Sequence, residues 1–153
     1  MNTEKAIEVL NTLVEINNDR IEGYETAMKE TEEGDLKSLF TTFKQTSLKC
    51  KVDLESEVQR MGGKPEEGTR TSGKFYRAWM DIKAALTGKD RKAILNSCEY
   101  GEDVAVATYD NVLKNDCEEL TADQRNMVQE QYRLIKADHD KVRNLRDALV
   151  EQD

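Results

Sequence analysis

Histidine, proline and aromatic side chains are scarce in this chain of 153 residues, which holds one His, one Pro and only 6% Phe, Trp and Tyr together. One proline and eight glycines beside 35% charged residues exclude the turn-rich habit of sheet proteins and match the composition of long helices. No apolar run approaches the roughly 18 residues that span a bilayer. The opening MNTEKAIEVL has neither the basic nor the apolar region of a leader segment, so a cytoplasmic protein without membrane contact is expected. Basic charge is also short: 23 Lys and Arg against 31 Asp and Glu leave a net charge of -8, which argues against nucleic acid or an anionic membrane as partner. Cys50, Cys98 and Cys117 are odd in number and in no C-x-x-C spacing, so they fit neither a disulfide framework nor a structural zinc site. Each reads as a small apolar residue, with Cys117 in NDCEE the exposed one. No Ser-His-Asp arrangement and no G-x-x-x-x-G-K loop supports a hydrolase or a nucleotide-binding protein.

What the chain does have is long helical periodicity. Ile7, Leu10, Val14, Asn17, Ile21, Tyr24 and Met28 step by three and four, predicting a helix over about 3–32. Gly34 is expected at its C′ position and Asp35 at the next N-cap. Leu36, Phe40, Phe43, Ser47, Cys50, Leu54, Val58 and Met61 then define a helix over 36–61, stopped by Gly62-Gly63 with Pro65 beyond. The glycine-rich stretch that follows reads as a loop. Phe75, Trp79, Ile82 and Leu86 predict a short helix over 74–86 inside a crossover spanning 62–90. Two further long helices are expected over 91–115 and 122–150, started in the second case by Thr121-Ala-Asp. Hairpins at both ends and one long connection make a single all-α domain, a four-helix bundle with one long crossover that returns the third helix parallel to the second.

The stretch CEYGEDVAVATYDNVL, Cys98 to Leu113, carries the chemical hint. Glu102, Ala105 and Tyr109 fall on one helical stripe, so a carboxylate points at a core, where it needs a metal, a cation or a proton. Leu10, Asn17, Tyr24 and Met28 have the same mutual spacing as Leu95, Glu102, Tyr109 and Leu113, an echo that suggests two hairpins packed about a pseudo-twofold.

With that topology, the E-x-x-A-x-x-x-Y spacing resembles the ferritin-like superfamily. The phrases GGKPE, FYRAWMDIKAALTG, GEDVAVATY and ADHDKVRNLRD resemble a bacterial family of ferritin-like four-helix-bundle proteins known as a domain of unknown function. The resemblance implies a self-associating bundle, with a link to stress by analogy. Ferritin-like di-iron proteins take a Glu from each of two helices and a Glu-x-x-His from each of the other two. Here only Glu102 and His139 match that pattern: Lys136 stands three before His139, the second helix has no His, and Asn17 stands where the echo asks for a carboxylate. A complete di-iron site is therefore not expected. One reading is a core polar cluster of Asn17, Tyr24, Glu102, Tyr109, Lys136 and His139, with Glu102 paired to Lys136 or His139. The alternative is a single divalent ion, iron or zinc, on Glu102, His139 and Asp138. A third reading is a helical interaction module. Phe75, Tyr76, Trp79 and Met80 on the crossover offer an interface, and a homodimer is the expected assembly. No catalytic residue stands out, no cofactor beyond such an ion is implied, and the reading leans away from an enzyme.

Overall fold

The computed structural model describes residues 3–67 and 91–152. Four long helices account for most of them: α1 (Thr3–Glu30), α2 (Gly34–Arg60), α3 (Arg91–Asn115) and α4 (Ala122–Gln152). A single 3-10 turn, Cys117–Glu119, joins α3 to α4, and there is no strand among the described residues. No described helix is long and apolar enough to cross a membrane. The expected crossover helix over 74–86, with Phe75, Tyr76, Trp79 and Met80, lies outside the described residues.

The turns follow from local chemistry. After α2, Gly62 takes φ +84°, its N–H bonds Gln59 O at 3.0 Å and the Gly63 N–H bonds Val58 O at 2.9 Å. That pair of bonds closes a Schellman motif and satisfies carbonyls the helix leaves open. A Cβ at Gly63 would stand 2.8 Å from Ile7 Cγ2, so only glycine lets the chain press onto α1 here. At α4, Thr121 Oγ1 accepts from the Gln124 N–H at 3.1 Å while Gln124 Oε1 accepts from the Thr121 N–H at 3.0 Å, a reciprocal capping box. The α1–α2 turn differs from expectation. Gly34 is the first residue of α2, and its N-cap is Glu33, in extended backbone with no side-chain cap bond. Asp35 sits inside the first turn, where it meets the Arg91 guanidinium at 2.7 and 3.1 Å, and that hydrogen bond holds its carboxyl below the usual range.

Contacts fix the topology. Asn17 meets Tyr109, Arg20 meets Glu102 and Glu33 meets Arg91, so α1 and α3 are antiparallel. Cys50 meets Gln131 and Met61 meets Gln124, so α2 and α4 are antiparallel as well. It follows that α2 and α3 run parallel and begin at the same end of the bundle, where Arg91 bridges Glu33 and Asp35. Residues 63–67 start the return along α1: the Asn11 amide donates to Lys64 O at 3.0 Å and accepts from the Glu66 N–H at 2.9 Å.

Two apolar clusters fill the core. One gathers Leu10, Leu13, Val14, Leu54, Val58, Val112, Val128 and Ile135; the other gathers Ala27, Leu36, Phe40, Phe43, Ile94, Leu95, Cys98 and Val142. Each fully buried large side chain contributes about 1.5–3 kcal/mol. Between the clusters lies a polar layer, and α1 supplies its key member. The expected stripe position Ile21 is only half-buried, whereas Arg20 next to it is fully buried. The inward positions are Leu13, Asn17, Arg20, Tyr24 and Ala27, all fully buried, stepping by four and three as a helical face requires.

Candidate functional site

At the centre of the bundle α2, α3 and α4 each contribute one polar side chain to a single guanidinium from α1. Arg20 of α1 donates from Nε and Nη2 to Glu102 Oε1 on α3, at 3.1 and 2.7 Å. Its Nη2 also donates to Asp138 Oδ2 on α4 at 3.0 Å, and its Nη1 donates to Ser47 Oγ on α2. The Tyr24 hydroxyl donates to the same Glu102 oxygen, and the guanidinium lies 5.6 Å from the centre of the Tyr24 ring. Tyr24 is held in turn by Phe40 and Phe43, with ring centroids 5.5 and 5.4 Å away. Arginine suits this position because its planar fork can serve several acceptors at once.

The electrostatics are those of a closed cluster. Burial alone would lower the Arg20 pKa, but the neighbouring carboxylates of Glu102 and Asp138 outweigh it and raise it above the usual value. Burial, then Glu102, push the Tyr24 hydroxyl well up, so it keeps its proton for Glu102. Asp138 is pushed up to about 6, first by burial and then by Glu102, against the opposing pull of Arg20. The two core thiols are held protonated: burial takes Cys50 to about 11 and raises Cys98 further.

One turn along, a second set of bonds continues the layer. The Asn17 amide donates to Leu13 O at 2.9 Å and to the Tyr109 hydroxyl at 2.8 Å. Tyr109 donates to Gln131 Oε1 at 2.8 Å, and Gln131 donates to Cys50 O at 3.3 Å. The sequence echo has a structural meaning here. Asn17 and Tyr24 on α1 correspond to Glu102 and Tyr109 on α3, and the Asn17–Tyr109 bond is the pseudo-twofold counterpart of the Tyr24–Glu102 bond.

The expected site residues thus separate into two places. Asn17, Tyr24, Glu102 and Tyr109 are fully buried in the central layer. Asp138 reaches it through Arg20, which the sequence reading passed over. Lys136 lies on the surface, its ammonium 3.5 Å from Asp140 and its side chain 48% exposed, so it is not the cation that meets Glu102. His139 turns to the seam between α3 and α4, where its Nε2 meets Asp103 and its Nδ1 lies 3.1 Å from Asp140 Oδ1. Asp138 and His139 are neighbours on α4, and successive helical residues point about 100° apart, so one faces Arg20 and the other the seam. Glu99, one turn before Asp103 on α3, joins His139 there and forms an ion pair with Arg146.

The central residues do not fit the di-iron centre of ferritin-like di-iron proteins. Such a centre needs several carboxylates and two histidines turned inward, and here one inward position carries a cation that binds Glu102 through Oε1 and Asp138 through Oδ2, while Glu102 Oε2 has no hydrogen-bond partner. Residues 5–115 match a family model described as a domain of unknown function, DUF2383. The chain belongs to the DUF2383 family. The match takes in Asn17, Arg20, Tyr24, Ser47 and Glu102 and ends with α3, so Asp138 and His139 lie beyond the part of this DUF2383 chain that defines the family. No curated protein matches the chain.

Proposed function

We propose that this DUF2383 protein is a ferritin-like bundle without redox chemistry at its centre, a scaffold that works by association. The observation that supports this reading is the fully buried Arg20 guanidinium, joined to Glu102, Asp138 and Ser47 from the other three helices. A positive charge fixed where ferritin-like relatives gather metal ions repels them and takes up the carboxylates that would hold them. The parallel course of α2 and α3 supports the ferritin-like assignment, since that bundle has one long crossover. Neither core thiol is a nucleophile at neutral pH, because burial raises both. The reading favours a homodimer, with exposed Leu48 and Val52 one turn apart on α2 and exposed Tyr100 on α3 as apolar surface for contact.

Two measurements test it. The purified chain mixed with ferrous iron in air is expected to oxidise it no faster than buffer does, and a catalysed rate with iron in excess would refute the reading. Light scattering is expected to give about twice the 17.5 kDa chain mass, and a monomer at tens of micromolar, roughly where weak interfaces still show, would remove the association part.

A further inference from the structure

We infer that Glu99, Asp103 and His139 form a site for one divalent transition-metal ion on the α3–α4 seam, separate from the bundle centre. Glu99 and Asp103 stand one turn apart on α3, and His139 faces them from α4, with one potential ligand atom from each lying within 4.8 Å of the others. One imidazole and two carboxylates are a donor set that suits zinc, cobalt, manganese or ferrous iron, with water completing the shell.

The histidine is already arranged as a ligand. Its two ring nitrogens face two carboxylates, Asp140 at Nδ1 and Asp103 at Nε2. A neutral ring has one N–H, so with the proton on Nδ1 toward Asp140 the Nε2 lone pair points at the Asp103 oxygen. A protonated ring would donate to both carboxylates; in the neutral ring the second place at Nε2 is open to a metal cation instead. A carboxylate holding the outer N–H while the inner nitrogen binds the ion is the usual second shell of a metal-bound histidine. His139 is 11% exposed at its side chain and Asp103 57%, so the pair combines a fixed imidazole with an open side.

The competing cation is Arg146, which pairs with Glu99. It has another carboxylate in Asp147, at 2.9 Å, so releasing Glu99 does not leave it unpaired. Donor atoms about 2.0–2.2 Å from one ion stand closer together than 4.8 Å. The Glu99 side chain, freed from Arg146, supplies that movement.

The test is a titration of the full chain with Co²⁺ alone, followed by its visible absorption, with Zn²⁺ as competitor. One Co²⁺ per chain is expected. His139→Gln and Asp103→Asn should each weaken binding at least about 100-fold. Asp140→Asn, which only orients the ring, should weaken it about 10-fold, and Arg146→Gln should tighten it. Glu102→Gln should bind as the wild type does. Asp103 is largely exposed, so its variant keeps the fold if His139→Gln does not. No Co²⁺ bound at millimolar concentration, or binding unchanged in Asp103→Asn, overturns the site. Binding lost in Glu102→Gln but kept in Asp103→Asn would move the ion to the bundle centre and overturn the scaffold reading too; ferrous oxidation by a chain whose Co²⁺ site behaves as expected would overturn the scaffold reading alone.

Discussion

The bundle centre and the α3–α4 seam use the same kinds of groups in opposite ways. At the centre, Arg20, Glu102, Asp138, Ser47 and Tyr24 bond to one another out of water, with only Glu102 Oε2 left without a hydrogen-bond partner among them. At the seam, Glu99, Asp103, His139 and Asp140 meet beside the partly exposed cations Lys136, Arg143 and Arg146, with Asp103 open to solvent. Closing a cluster makes every member depend on the others, because a buried charge that loses its partner has no water to turn to. Leaving one open makes each member nearly dispensable to the fold and available to a ligand.

The sharpest way to break this contrast is Arg20→Met. It strands Glu102 and Asp138 together in the core and should cost about 3–5 kcal/mol, read as a fall in the urea midpoint. A loss below about 1 kcal/mol would mean that the centre is not closed.

The pH dependence comes next. Asp138 rises from 3.8 to about 6 in the folded chain, so between about pH 4 and 6 the unfolded chain gives up this proton while the folded chain keeps it. Stability from this group is therefore greatest below pH 4 and is lost as pH rises through 6, by an amount on the order of 3 kcal/mol. Melting curves across pH 4 to 7 should show Asp138→Asn lacking this component of the slope, and identical slopes in the two proteins would contradict the assignment.

Tyr24→Phe removes one hydrogen bond to a charged oxygen and should cost about 1.5–2 kcal/mol, measured by thermal unfolding at neutral pH. The smallest effect belongs to Lys136→Met, whose half-exposed ion pair with Asp140 is worth less than about 1 kcal/mol. If Lys136→Met matched Arg20→Met, the surface and the centre would have been confused.

The helices were legible because their apolar residues repeat every three or four positions and because glycine suits the left-handed turn and the close approach at Gly62 and Gly63 that end α2. Glu102 was legible as a core carboxylate because its stripe is otherwise apolar. Its partner was not. Arg20 lies on the inward face, three after Asn17 and four before Tyr24, but residue type sends arginine to the surface, and only contacts from other helices reverse that preference. The half-buried Ile21 beside it offered the eye a more ordinary stripe. Lys136 failed as a candidate for the complementary reason: helical phase turns it outward to Asp140. The pairing of His139 with Asp103 depends on the register between α3 and α4, which spacing within one helix does not contain.

The central cluster also sorts the hairpins by charge. The hairpin of α1 and α2 brings Arg20 and Ser47 to the centre, while that of α3 and α4 brings Glu102 and Asp138. Two copies of the first hairpin set against each other would bury two guanidinium ions with no counterion, and two copies of the second would bury four carboxylates. Only the mixed pairing sets the guanidinium against carboxylates. During folding, the same salt bridge that holds the two hairpins of one chain together discourages neighbouring chains from pairing like halves.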